Sequence, residues 1–153
     1  MTDNSRGTSA SDELLDRIDA LLWEDTYAND VRSTALIGLE LGELIRSNLD
    51  DLQRNALDVA KTYWTAGAQN ESEWLEHVRK IASRQDEHAH SGTHRTRAAY
   101  ANRIVYTALN DRTGLSGFAG EFLVEIGTGA GLAADQIEAA FRKVLPALPP
   151  RQT

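Results

Sequence analysis

The chain has 153 residues, no cysteine and a formal net charge of −7 at neutral pH. That length suffices for one domain around one core, and the lack of cysteine excludes disulfides, thiolate metal sites and a cysteine nucleophile. No apolar run reaches the length of a membrane helix, and the polar N-terminus lacks the apolar segment of a signal peptide, so we expect a cytoplasmic protein with no membrane partner.

The spacing of the apolar residues predicts an all-α fold of six or seven helices in a single bundle. All three prolines lie at position 146 or beyond, so no proline interrupts the Ala-, Leu- and Glu-rich sequence before it, which favours helices. We expect one helical domain over residues 11–146. Residues 1–10 are small and polar and are expected to be disordered, and residues 147–153 form a C-terminal tail.

Three helices are predicted in the first half, each with an N-terminal residue that can accept hydrogen bonds from the first turn. They cover about residues 11–23, 30–48 and 50–67, and their caps are Ser11, Asn29 or Asp30, and Asp50. The first closes at Trp23, and Gly67 is a suitable end for the third.

The second half begins with a fourth helix, for which Asn70 and Glu73 form a capping box. Residues 84–95 are polar and contain Gly92, so they are predicted as a loop. A fifth helix ends before a break at 110–117, and a further helical segment contains Gly120–Leu123. Three glycines at 127, 129 and 131 predict a loop before a last helix, which Asp135 and Glu138 cap and Pro146 ends.

A ten-residue pattern occurs twice, at 27–36 (YANDVRSTAL) and at 100–109 (YANRIVYTAL). Six of the ten positions are identical, and the copies are 73 residues apart. The fourth helix likewise aligns with the first. The repeat predicts an internal duplication, with two related three-helix halves (about 11–67 and 70–146) around a pseudo-twofold axis. It also makes Tyr27, Tyr100, Asn29 and Asn102 structural residues.

Two acids lie three residues apart on the second helix, Glu40 and Glu43, and Asp58 follows on the third. The segments 39–43 (LELGE) and 55–59 (NALDV) resemble the MazG-type all-helical nucleotide pyrophosphohydrolases. That resemblance implies that these three acids hold Mg²⁺ beside a nucleoside triphosphate. Leu39 and Asn55 stand where that family has two further acids, and Gly42-Glu43 recurs as Gly120-Glu121, which favours an architectural role instead.

Other patterns are weaker indicators of chemistry. His88, His90 and His94 have a spacing that can bind zinc or nickel, but a loop without preorganisation favours exposed histidines instead. The glycines at 127–131 lack the spacing, the preceding strand and the lysine of a phosphate-binding loop. No Gly-x-Ser-x-Gly pattern occurs, so a serine nucleophile has no support.

Residues 52–110 resemble the helical immunity proteins of bacterial toxin systems. The likeness lies in the Ala-rich helix 56–60, in Tyr63-Trp64-x-x-Gly67, in 73–79 and in the Ala-rich helix at 98–101. It implies a cytoplasmic protein that binds and blocks a cognate toxin.

Charge supports a protein partner of basic character. Residues 1–58 carry 13 acids and 5 bases, whereas residues 79–103 carry six bases and two acids. The acidic half repels nucleic acid and steers a basic protein toward it. The expected partner contacts are Asp12, Asp16, Asp19, Glu24, Asp25, Asp50, Asp51 and Trp64.

The sequence thus predicts a protein-binding module, possessing no cofactor, of a toxin-neutralising or regulatory kind. The alternative is a degenerate MazG-like hydrolase with Mg²⁺ at Glu40, Glu43 and Asp58. An ordinary protein with a solvated acidic surface also fits the charge pattern, and the sequence does not define an oligomeric state.

Overall fold

The computed structural model describes residues 10–22, 31–66, 71–109 and 117–146. These residues form seven α-helices and one short 3₁₀ helix, with no strand among them, so the all-α prediction is confirmed. The α-helices are α1 Ala10–Leu22, α2 Val31–Leu44, α3 Asp51–Ala66, α4 Glu71–His90, α5 Arg97–Leu109, α6 Gly117–Gly129 and α7 Ala134–Val144. Within the described ranges, no helix combines the length and the apolar character needed to cross a membrane.

Helices α2 and α5 form the central pair of the bundle, and a glycine lets them approach closely. A β carbon at Gly38 would lie 2.7 Å from the backbone nitrogen of Ala108, so a larger residue would push the two helices apart. Ile37 and Leu41 on α2 and Ile104 on α5 are fully buried beside this crossing. Both α2 and α5 therefore contribute side chains to the part of the core beside their crossing.

The remaining helices surround this pair in two groups. Helices α3 and α4 pack on α5 and on each other, while α1 packs on α6 and α7, and α7 also packs on α2. A twofold axis between the halves would exchange α1, α2 and α3 with α4, α5 and α6. The contact of α4 with α3 would then correspond to a contact of α1 with α6, and both contacts are present. The axis would also require an α1–α2 contact as extensive as that of α4 with α5, which the described residues lack. The duplication stays a prediction.

Helix α3 begins at the cap that the sequence predicts. The Asp50 carboxylate accepts a hydrogen bond from the Gln53 backbone N–H at 2.9 Å, and the Gln53 side-chain oxygen accepts one from the Asp50 N–H at 3.1 Å. The Gln53 amide also donates to the Oδ1 of Asn102 at 3.1 Å, and the Asn102 amide donates to the Ile81 carbonyl at 3.1 Å. Asn102 is fully buried, and it links α5 to α3 and α4.

The loop predicted at 84–95 is wrong over its first half, because α4 continues to His90. Its last turn faces solvent on most sides, and its only apolar residue is the exposed Ala89, so it carries no apolar stripe that would have signalled a helix. The stop comes at Gly92, whose φ of +74° suits glycine. Thr93 N–H donates to the His88 carbonyl at 2.9 Å, which completes a Schellman-type end.

The glycine loop is also placed too early by the sequence, since Gly127 and Gly129 lie inside α6. They admit close neighbours: β carbons there would lie 3.0 Å from Ile137 Cδ1 and 2.3 Å from a Tyr100 ring carbon. Only Gly131, with φ of +97°, lies in the turn before α7 and needs the left-handed conformation.

Helix α7 is not capped by Asp135 and Glu138 as predicted. Its first turn is closed by Gln136, whose side-chain oxygen accepts the Ala133 N–H at 2.9 Å. Glu138 is buried instead, and it accepts hydrogen bonds from Arg17 of α1 and, at 3.0 Å, from Arg142. Its carboxylate therefore ties α7 to α1 within the bundle.

Several predicted features lie outside the described residues. These are the end of the first helix at Trp23, the caps at Asn29, Asp30 and Asn70, the C-cap at Gly67, the break over 110–116, and the termini 1–9 and 147–153. Helix α1 itself begins at Ala10, one residue before the cap predicted at Ser11.

Candidate functional site

The three acids predicted as metal ligands are each engaged by a cation of the chain. Glu43 and Asp58 both bind the guanidinium of Arg46, at 3.0 Å and 2.7 Å. Arg46 begins the 3₁₀ helix that follows α2, and this position brings its side chain between the end of α2 and the middle of α3. Glu40 binds the ammonium of Lys143 on α7 at 3.2 Å.

The two carboxylates around Arg46 hold it in its charged form. The hydrogen bond to Asp58 is the main cause that raises the pKa of Arg46 above its usual value. Desolvation opposes this rise, and the negative charges of Glu43 and Asp58 add to it. Arginine is charged at neutral pH in any case, so this cation persists wherever the fold does.

These residues do not fit a magnesium site. In the part of the chain that the structure describes, no group of three His, Asp or Glu side chains is placed to hold a metal ion. Magnesium requires several oxygen ligands around one point, whereas here a guanidinium lies between Glu43 and Asp58. Glu40 is directed to a different cation on a different helix.

The residues predicted to contact a partner differ in their exposure and in their bonds within the chain. Asp50 caps α3 and also binds Arg84 of α4, so its carboxylate stabilises the bundle. Asp51 is almost fully exposed and lies 3.3 Å from Arg54. Asp12 and Asp16 are exposed on α1. The side chain of Asp19, and Glu24 and Asp25, are outside the described residues.

Trp64, predicted as a partner contact, is half-buried and takes part in the fold. Its indole N–H donates to the Ala108 carbonyl at 2.9 Å, and Trp74 donates to the next carbonyl, that of Leu109, at 2.8 Å. The last carbonyls of a helix have no partner within it, so the two indoles complete the end of α5. Tyr63 stacks on Trp74 with ring centres 4.4 Å apart.

The histidines at the end of α4 do not converge. His88 Nδ1 contacts the Thr93 hydroxyl at 3.0 Å, and His90 Nδ1 contacts the Asp86 carbonyl at 2.8 Å. His94 lies beyond the helix in the turn toward α5 and is exposed. Each of the first two is thus oriented by its own local neighbour.

A groove of about 530 Å³ lies between the C-terminal half of α2 and α7, and we call it the α2–α7 groove. Residues of α2 form one wall and residues of α7 form the other. Its lining consists of Glu40, Glu43, Leu44, Asp135, Gln136, Ala139, Ala140 and Lys143.

The groove combines an apolar strip with carboxylates. Leu44 is 46% exposed, the highest fraction among the large apolar side chains of the described residues. The exposed Ala139 and the largely buried Ala140 line the α7 wall. Three acids and one lysine line it, a balance of −2. Such a surface suits a ligand with both apolar groups and positive charge.

Comparisons of the chain with protein-family models, with curated proteins and with solved structures each give no match. Function is therefore inferred from geometry and charge.

Sequence reasoning identified Glu40 and Glu43 as functional candidates but missed the α7 side of the groove. Four of its five residues, at 136, 139, 140 and 143, follow the i, i+3, i+4, i+7 spacing of one helix face. That face contains two alanines between polar residues. An alanine stripe of this kind on an otherwise polar face was the available signal.

Proposed function

We propose that this chain is a small cytoplasmic protein-binding module, of the toxin-neutralising immunity type or a related regulatory type. The partner would be a basic protein, and the α2–α7 groove would receive part of it. The observation that carries the proposal is the exposed Leu44, which lines the groove together with carboxylates of two packed helices. Exposed apolar groups that are rimmed by charge are typical of protein-binding sites.

The electrostatics of the chain support a basic partner. The net charge of −7 attracts such a protein from a distance, and the acids of the groove provide specific contacts once it arrives. Because α2 and α7 pack on each other and on the core, the groove walls are already in place. Binding then costs little ordering of the backbone on this side of the interface.

No observation on the described residues favours the alternative, a MazG-like nucleotide hydrolase. That activity needs acids that converge on magnesium, and here Arg46 and Lys143 engage all three candidates. The ion pairs instead place charges of both signs in and beside the groove.

The proposal is tested by photo-crosslinking in the native host. A photoreactive amino acid replaces Ala139, which is exposed in the groove, and in a matched control it replaces Ala89, which is exposed on α4 away from it. We expect a discrete protein adduct from position 139 that is absent from position 89. Equal adducts from both positions, or none from position 139, would contradict the proposal.

The cross-linked protein is then purified and titrated by calorimetry against the unmodified chain. We expect the Glu40→Gln/Glu43→Gln double variant to bind it about tenfold more weakly, since charge-assisted contacts at an interface contribute on the order of 1–3 kcal/mol. Equal affinity for both forms would remove the groove from the interface.

A further inference from the structure

A cation of the chain itself already lies in the α2–α7 groove. Lys143 places its ammonium 3.2 Å from Glu40 Oε1, and the lysine side chain is 71% exposed, whereas that of Glu40 is 35% exposed. The carboxylate is thus the half-buried, fixed member of the pair, and the ammonium reaches it from the solvent side. A solvent-exposed pair of this kind is weak, typically 0–1 kcal/mol, so another cation can take the place of Lys143 at low cost.

The dimensions of the groove define the length of what it can hold. The α7 stripe runs from Gln136 to Lys143, which at 1.5 Å per residue is about 10 Å, or two helical turns. The α2 stripe from Glu40 to Leu44 covers about one turn opposite. A segment of about two turns therefore contacts both walls.

The walls consist of side chains on helices, and this favours a helical occupant. An extended peptide leaves its backbone N–H and C=O groups to be paired by the surface that binds it. The described residues contain no strand, so the groove offers no strand edge with which to pair them. A helix brings its own backbone hydrogen bonds and needs only side-chain contacts.

Resting on the proposed function, we propose that the partner segment is a basic amphipathic helix and that Lys143 occupies the subsite of one of its cations. Apolar residues of that helix cover Leu44 and Ala139, while a lysine or arginine binds Glu40. Lys143 is then an internal competitor, which neutralises Glu40 in the free protein and is released upon binding. A helix without a cation at that position does not displace it.

The test uses fluorescence anisotropy with a labelled synthetic helix of Leu, Ala and Lys, long enough at about 16 residues to be helical. One control peptide has the same composition in a scrambled order without an apolar stripe, and another carries Glu in place of Lys. We expect the basic amphipathic peptide to bind, more weakly as the salt concentration rises, and both controls to fail. Equal binding of the scrambled peptide would overturn the helical part of the proposal.

The role of Lys143 is tested by Lys143→Gln, with Lys80→Gln as its matched control. Lys80 forms a comparable exposed pair with Glu76 on α4, at 3.5 Å and away from the groove. We expect Lys143→Gln to tighten binding by about two- to fivefold, and Lys80→Gln to leave it unchanged. An unchanged or weaker affinity for Lys143→Gln would overturn the competitor role.

A double-mutant cycle locates the competition at Glu40. If Lys143 acts through Glu40, the gain from Lys143→Gln disappears when Glu40→Gln is also present. A gain of the same size in both backgrounds would mean that Lys143 acts only by general repulsion, and would overturn the subsite assignment. A concentration-dependent dimer in sedimentation that Leu44→Ser abolishes would make a second copy of this chain the occupant.

The two proposals can fail separately. A natural partner that cross-links at position 139 but possesses no basic helix, together with no binding of the synthetic helix, would overturn the present inference and leave the proposed function intact. Binding of the synthetic helix without any adduct in the host would overturn the proposed function and leave the affinity of the groove for a basic helix intact.

Discussion

The two faces of helix α7 carry two ion pairs of opposite character. On one face, Glu138 binds Arg17 of α1. Both residues are buried, with exposed fractions of 8% for Glu138 and 9% for Arg17. On the other, Lys143 binds Glu40 of α2 and remains 71% exposed. The same helix thus contacts two neighbours through similar chemistry in very different surroundings.

The difference shows why burial, rather than residue type, separates structural charges from charges that are available to a partner. Removing one member of a buried ion pair leaves the other charge buried with neither its partner nor water, and this lowers the stability of the fold. An exposed pair exchanges its partner for water or another cation with little loss. Glu138 therefore belongs to the fold, and Glu40 belongs to the surface that a ligand meets.

The largest expected effect comes from breaking the buried pair. Arg17→Met leaves the Glu138 carboxylate buried, with Arg142 still bound to it, and we expect the free energy of unfolding to fall by about 3 kcal/mol. Urea denaturation followed by circular dichroism measures it.

The control replaces both members, in Arg17→Met/Glu138→Met. Because the Nε of Arg17 is buried without a hydrogen-bond partner, the pair is incompletely satisfied, and apolar residues of similar volume should recover most of the loss. A single variant as stable as wild type would mean that the pair contributes nothing to the fold.

An intermediate effect is expected where the buried group is polar but uncharged. Asn102→Ala removes the partner of the Gln53 amide and leaves a small cavity, so we expect a loss of about 2 kcal/mol in the free energy of unfolding. Asn55→Ala, at an exposed position of α3, should change it by less than about 0.5 kcal/mol. Equal effects in thermal or urea unfolding would show that burial at 102 is unimportant.

A small effect is expected for the exposed pair. Lys143→Gln should change the free energy of unfolding by less than about 1 kcal/mol, although it alters the charge of the groove. A loss comparable to that of Arg17→Met would show that the Glu40–Lys143 pair is structural, and would remove the contrast between the two faces of α7.

No effect at all is expected from magnesium. Because Arg46 lies between Glu43 and Asp58, calorimetric titration with MgCl₂ should give only heats of dilution, for wild type and for Glu43→Gln alike. A binding heat that disappears in Glu43→Gln would support the hydrolase alternative.

The sequence predicted the helices well where an apolar stripe or a capping pair defined them. The cap at Asp50 and the end of α5 before residue 110 follow from local residues alone, and the ten-residue repeat indicated a structural role for the buried Asn102. It was wrong where neighbours decided the outcome. Gly127 and Gly129 remain helical because Ile137 and Tyr100 pack against them, and no local pattern contains that information.

The groove was predictable only in part for the same reason. Glu40 and Glu43 were correctly taken as one face of α2, but their cations come from residues 143 and 46. A distance of about 100 residues in sequence separates Glu40 from Lys143, so their pairing depends on how α2 and α7 pack. The hydrogen bond of the Trp64 indole to the Ala108 carbonyl likewise depends on how α3 packs on α5, and no local pattern predicts it.

The most direct measurement is a ¹H–¹⁵N NMR titration of the protein with the basic amphipathic helix. We expect chemical-shift changes concentrated in residues 40–44 and 135–143, at the two walls of the groove, with little change around Lys80 on α4. Shifts that instead cluster on α4, or that spread evenly over the acidic surface, would contradict docking in the α2–α7 groove.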